Sequence, residues 1–178
     1  MIEQVMLRDG TDAFVVPLEH TDRAALTAEF ETLSPESQRR RFLAPIRHLS
    51  DAMLDHLVDD VDGVDHIALV LCAETSPDVY DPVALARMVR YADATDAADL
   101  AVTVKDEWQG RGVATTLLGV LVRRRPVGVD RIVTEVLQDN PASPARVARS
   151  GGRPTPLLHA PHHRNELRTR DQVCPWFH

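Results

Sequence analysis

The chain of 178 residues has two cysteines, one lysine, eight glycines and no long apolar run. Cys72 and Cys174 are too few for a disulfide framework. Cys72, inside the run HIALVLCAE, reads as a small buried hydrophobe. No stretch approaches the roughly 20 apolar residues that span a bilayer, so no membrane role is expected. The opening MIEQVMLRDG has no basic region followed by an apolar one, which argues against a secretory signal and for the cytoplasm. A net charge of −7 gives no long-range attraction for nucleic acid, and none is expected as a partner. Lys105 stands against nineteen arginines, a bias that fits a GC-rich bacterial genome and says nothing of function. What remains, 44% hydrophobic and 26% charged, is the balance of a soluble globular protein. The length fits one domain with a full core, or one domain plus a tail.

Periodicity divides the chain into elements. Residues 13–18 (AFVVPL) read as a strand, and 20–33 as a helix with Leu26, Phe30 and Leu33 on one face. Ser34-Pro35-Glu36 is a second helix start, with Ser34 as N-cap and Pro35 in the first turn. Ser50-Asp51 caps a third helix, in which Met53, Leu54, Leu57 and Val58 share a face. The period then shortens. Residues 66–74 and 82–92 are strand-like antiparallel neighbours joined by the polar TSPDVYD, and 98–107 is a third long strand. From Gly112 to about Arg125 the pattern is helical, with a stripe of Val113, Leu117, Val120 and Leu121. Residues 127–137 return to strand, so 98–137 forms a strand–helix–strand unit with parallel strands and a right-handed crossover. Residues 141–150 fit a short helix. Beyond Gly151 the best strand candidate is 155–159. No internal repeat or linker divides the chain.

The stretch VTVKDEWQGRGVATTLL (102–118) places Gly110 and Gly112 where strand becomes helix. Helix N-terminal amides are unpaired and lie at the positive end of the dipole. Without side chains in front of them they can hold a phosphate. Arg111 adds a cation and Thr115 a hydroxyl, so a pyrophosphate cradle is expected. A Walker loop is excluded, because the only lysine precedes the glycines. A dinucleotide fingerprint would have Thr115 at its last glycine, although Asp130 lies where a ribose-binding acid belongs; the site falls too late in the chain, after antiparallel strands.

Gln109-Gly110-Arg111-Gly112-Val113-Ala114 resembles the acyl-CoA motif [Q/R]-x-x-G-x-[G/A] of the GNAT superfamily of N-acetyltransferases. The following GVDRIVTEVLQDN resembles that family's fifth strand and its terminal asparagine. Upstream, LSPESQRRRFLAPIRHLSD resembles the front helices of bacterial GNAT domains, including those of protein-lysine acetyltransferases. The resemblance covers about residues 5–150. It implies a single 1–178 domain with a divergent segment at 151–178, and an α/β (α+β) GNAT fold. That fold is a central mixed, mostly antiparallel sheet with a parallel strand–helix–strand acyl-CoA-binding unit. Strands 98–105 and 130–137 would splay around the pantetheine. The backbone of Val102, Thr103 and Val104 would bond that arm, and the amides of Gln109, Gly110, Arg111, Gly112, Val113, Ala114 and Thr115 would hold the pyrophosphate. Asn140 matches the asparagine that contacts the CoA arm, with Ser143 near it; the alternative for Asn140 is a turn residue before Pro141.

The resemblance further implies acetyl-CoA as co-substrate, no metal, an amine acceptor (a small molecule or a protein lysine) and a possible homodimer. Asp99 matches a family glutamate and is the candidate general base, directly or through a water; the alternative is a solvent-facing acid on a strand. An amide near Val102 would serve the developing oxyanion. The family's tyrosine acid has no counterpart, since Tyr80 and Tyr91 both precede the motif. Either the thiolate leaves unassisted, another group supplies the proton, or catalysis is impaired. Hence two functions stand side by side: acetyl transfer to a primary amine in a ternary complex, and a non-catalytic acyl-CoA-sensing or partner-binding module. His163 and Glu166 have a helical metal-ligand spacing, but the His-rich tail reads more simply as polar surface. The two RRR runs, 39–41 and 123–125, read as solvated helix faces, with acceptor or CoA phosphate contact as the alternative for the first. Trp108 is expected to pack against the motif helix.

Overall fold

A computed structural model of the protein describes residues 2–42, 44, 46–137, 153–156 and 162–168. The chain forms two compact units, the first from Met1–Met88 and Ala101–Arg125, the second from Val89–Leu100 and Pro126–His178.

The first unit begins with a hairpin of β1 (Glu3–Met6) and β2 (Asp12–Pro17). Its turn is closed by Leu7 N–H on Thr11 O at 2.9 Å. β2 pairs antiparallel with β3 (His66–Ser76), from Ala13↔Ala73 to Pro17↔Leu69. β4 (Val79–Arg90) follows after Pro77 and Asp78 alone. The strands therefore run further into TSPDVYD than its polarity suggests, because Asp78 takes a left-handed φ of 62° and its amide donates to the Glu74 carboxylate. β5 (Ala97–Val104) belongs to this unit in its second half, and Lys105 N–H donates to Val83 O at 2.9 Å.

Three helices lie between β2 and β3 in the chain: α1 (Arg23–Thr32), α2 (Pro35–Phe42) and α3 (Asp51–Leu54), the last extended by a π-helical turn at Asp55–Asp59. Their starts follow the sequence signals. Ser34 Oγ accepts from Ser37 N–H at 3.2 Å, and Ser50 Oγ from Met53 N–H at 3.3 Å. Phe30, Leu33, Leu54, Leu57 and Val58 gather in one cluster with Leu18 and Ala68. Alternation along β3 leaves Leu69, Leu71 and Ala73 on its other face, and α4 (Val113–Arg123) packs on this strand. α4 buries Val113, Ala114, Leu117, Val120 and Leu121, the expected stripe. Each such Val or Leu contributes about 1.5–3 kcal/mol of burial. The 123–125 run is not a bare solvated face, since Arg123 and Arg124 both pair with Glu3 of β1. In the other run Arg40 pairs with Glu36 one turn earlier.

In the second unit the first half of β5 runs parallel to β6 (Arg131–Leu137), with Ala97↔Arg131, Ala98↔Ile132 and Asp99↔Val133 in register. The amides of Asp130 and Arg131 both donate to Asp96 O, which sets that register. β6 pairs antiparallel with β8 (His162–Arg168), and β8 with β7 (Arg153–Pro156). The mixed, mostly antiparallel arrangement with one parallel strand–helix–strand unit is as expected. Several boundaries differ. Residues 127–130 are a turn rather than strand, because Gly128 adopts φ 88° and Val127 projects with 93% of its surface exposed. The strand expected to reach residue 107 ends at Val104, and Asp106–Trp108 form a 3₁₀ turn. His163 and Glu166 lie on β8, not on the helix that a metal-ligand spacing of three would need. β7 covers only the first two residues of the 155–159 candidate; 157–161 and the 141–150 helix lie outside the described residues.

A buried pair marks the first unit. Arg87 donates to His66 Nε2 at 2.5 Å and to His56 O at 3.1 Å. Nε2 must then be unprotonated, so His66 is neutral. Burial first, then the charges of Arg87 and His56, push its pKa from 6.5 to about 4. Between these values the unfolded chain binds the extra proton, so the contribution is full above pH 6.5 and lost as pH falls towards 4. Urea unfolding across this window should show a loss of up to about 3 kcal/mol from this group. His66→Gln should remove that part of the slope.

Candidate acyl-CoA site

After Val104 the chain leaves β5, makes the Asp106–Trp108 turn and reaches Gly110 and Gly112 at φ 79° and 89°. Both angles lie in the left-handed region that side chains disfavour by about 1–2 kcal/mol. The two glycines have different surroundings. A Cβ on Gly110 would meet nothing within 4 Å, whereas one on Gly112 would sit 3.2 Å from Arg8 Cβ. Gly112 is the N-cap of α4 and, as glycine, has no side chain to cap that end. The first intrahelical bond there is Thr116 N–H on Gly112 O, at 3.0 Å. The amides of Val113, Ala114 and Thr115 thus have no intrahelical acceptor and stand at the positive end of the dipole. With open space before Gly110, the turn fits an incoming phosphate.

The side chains around this turn are engaged within the unit. Arg111 donates to Asp9 Oδ2 at 2.7 Å and to Thr11 Oγ1 at 3.2 Å, and its guanidinium lies 3.9 Å over the ring of buried Trp108. The hydrogen bonds from Thr11 and then Arg111 hold the Asp9 carboxyl down at about 2. The exposed Gln109 places its Nε2 3.2–3.3 Å from Val104 O, Asp106 Oδ1 and Ser37 Oγ, which share its two N–H donors. Asp106 also accepts from Ser34 N–H at 2.9 Å, Ser34 Oγ at 3.1 Å and Ser37 Oγ at 2.6 Å. Burial pushes this carboxyl up, but the bonds from Ser37 and Ser34 and the charge of Arg40 outweigh it and hold it below its usual value. The turn is thereby stitched to the N-terminus of α2, a link no local signal announces.

Val102, Thr103 and Val104 occupy the half-buried end of β5. Thr103 and Lys105 line an apolar cavity of about 240 Å³ walled by α1, α2, β3 and β4. Leu26, Phe30, Val83 and Leu85 supply apolar wall, and Glu29 meets Lys105 Nζ there at 2.5 Å. Cys72 is half-buried and lines this cavity instead of the core interior, and burial raises its thiol pKa. Asp99 lies earlier on β5, half-buried, beside Val133 of β6. Asn140 and Ser143 lie outside the described residues. Periodicity missed Asp106, Asp9, Glu29 and Lys105, whose partners are far away in the chain.

No protein-family model matches the chain. The crystal structure of the GNAT domain of S. lividans PAT is 30% identical, superposes with a TM-score of 0.78, and is covered over 96% of its length by 94% of this chain. The chain belongs to the GNAT family. This GNAT chain is also 38% identical over 110 residues to acetyltransferase Pat of Mycolicibacterium smegmatis, a stretch that is 61% of this chain and 32% of that protein. A cAMP-binding acyltransferase from Mycobacterium smegmatis is 28% identical with a TM-score of 0.63, matching 98% of this chain and 49% of that one. The chain thus spans about a third to a half of these longer relatives.

Alanine at the two glycines separates conformation from contact. Gly110→Ala should cost about 1–2 kcal/mol for the left-handed backbone alone. Gly112→Ala should cost more, about 2–3 kcal/mol, because Arg8 must also shift. Denaturant midpoints of the two variants check this order.

Proposed function

We propose that this GNAT chain is an acetyl-CoA-dependent N-acetyltransferase acting on a primary amine by direct attack in a ternary complex. The observation that carries this reading is the uncapped N-terminus of α4 behind Gly110 and Gly112. In it the amides of Gln109 through Thr115 hold the pyrophosphate, and the backbone of Val102, Thr103 and Val104 holds the pantetheine. Asn140 and Ser143 complete the CoA contacts by family resemblance. The Arg111 side chain is paired with Asp9, so its contribution is its amide rather than a free charge.

Bound acetyl-CoA supplies the activated acyl group. The chain's own residues supply the rest. The acceptor arrives as an ammonium and must lose a proton before it can attack. Asp99 takes that proton through a water, its carboxylate being one methylene shorter than the family's glutamate. A backbone amide near Val102 stabilises the oxyanion. The apolar cavity beside Thr103 receives the acceptor. Tyr80 packs edge-on against Phe14 at 4.8 Å, and no tyrosine follows the motif, so no tyrosine acid is assigned.

Acetyl-CoA at about 100 times its Kd should stabilise the fold by about 2.7 kcal/mol. That raises Tm by about 5–10 °C, with NAD as the control that gives no shift. Amine-dependent release of CoA should follow. Asp99→Asn should lower it about 100-fold while keeping the acetyl-CoA shift. A shift with no turnover on any amine would favour the sensing module. A shift with NAD instead would overturn the reading.

A further inference from the structure

The lysine content of this chain bears on its chemistry. Among twenty Lys and Arg residues only Lys105 carries an amine. Guanidinium groups stay protonated and do not act as acyl acceptors at ordinary pH, whereas a lysine amine, once it has lost its proton, is a nucleophile. Lys105 follows the strand end proposed to hold the pantetheine. Its backbone is pinned to Val83 O at 2.9 Å, and both it and Thr103, two residues apart, line the apolar cavity.

The ε-ammonium is neither solvated nor idle. The Lys105 side chain is only 20% exposed, and Nζ lies 2.5 Å from Glu29 Oε2. That oxygen is closed to solvent and accepts no hydrogen bond of ordinary geometry from the described residues, so Nζ is its close polar neighbour. The arrangement joins an amine, a carboxylate placed to take its proton, apolar walls and about 240 Å³ of space. These are the features the proposed reaction requires of an external acceptor, here supplied from inside the chain.

We propose that Lys105 is a self-acetylation site, modified in cis by acetyl-CoA bound at the β5–α4 turn, with Glu29 as the base. The inference rests on the acetyl-CoA reading above. Glu29 takes a proton from the ammonium, and the Lys105 amine forms a bond to the thioester carbonyl carbon. The carbon–sulfur bond breaks, and the sulfur leaves with its electron pair as CoA thiolate. That first proton passes from Glu29 to solvent, and the second proton, lost by the nitrogen as the neutral amide forms, goes to the thiolate or to solvent. No oxidant or reductant enters. The product is a neutral amide in an apolar cavity, and Glu29 is released from its ion pair. Self-acetylation thereby changes the charge that an external amine meets.

The full chain is incubated with acetyl-CoA, and the modification is read by intact mass and peptide mapping, beside a thermal melt of the same sample. The expected result is one acetyl group, on Lys105 and not on the Met1 amine, acquired at a rate per molecule independent of protein concentration. Lys105→Arg should acquire none. Glu29→Gln, isosteric and checked for folding by its melt, should slow the modification about 100-fold. Chain unfolded in urea should lose this advantage. An acetyl-CoA thermal shift with Lys105 unmodified overturns the inference and leaves the proposed function standing. No shift and no modification overturns both. Equal labelling in Glu29→Gln or in the unfolded chain shows chemical acylation only and overturns the assignment. A rate per molecule that rises with concentration overturns transfer in cis.

Discussion

Two left-handed residues decide what the β5–α4 turn can do. The end of β5 is held by the Lys105–Val83 bond, and α4 is held by its fully buried stripe on β3. The connection must join these two fixed elements, and φ values of 79° and 89° at Gly110 and Gly112 are the way it does so. A Ser, Thr or Asp N-cap would contribute about 1 kcal/mol to the helix. The helix goes without it, and its first amides stay available. Core packing, not capping, carries the stability of α4 and leaves its first amides without intrahelical acceptors.

Charge pairing around α4 has one origin at both ends. Glu3 on β1 meets Arg123 and Arg124 in the last turn, and Asp9 in the following hairpin turn meets Arg111 before the first. Each exposed pair contributes little alone. Together they align the first hairpin with the helix and press Arg8 against Gly112. Asp106 performs the corresponding task on the α2 side, where its carboxylate accepts from Ser34 and Ser37 at the Ser34-capped start of that helix and fastens Gln109 to the same point. The cradle backbone is thus held from both sides, by polar contacts reaching it from elements far away in sequence.

The parts of the fold legible in the sequence are those whose cause lies within a few residues. The stripe of α4, the Ser34 and Ser50 caps and the strand–helix–strand order all follow from local period and local hydrogen bonding. β1 was not legible, because Glu-Gln-Val-Met is a half-buried strand at the sheet edge whose stability comes from β2. The early end of β5 was not legible either. Asp106 has strand neighbours, but Ser34 and Ser37, about seventy residues earlier, pull it into a turn.

The candidate site divides in the same way. Gly110, Gly112 and the uncapped helix start were readable, since steric freedom at glycine and the unpaired amides of a helix end need no distant partner. The sequence by itself determined that this turn would present backbone donors. Tertiary structure decided what surrounds them: Arg111 paired with Asp9, Asp106 bound to α2, and Lys105 turned onto Glu29 in an apolar cavity. The physical reason is that a side-chain contact depends on which elements become neighbours, and packing of the whole core settles that.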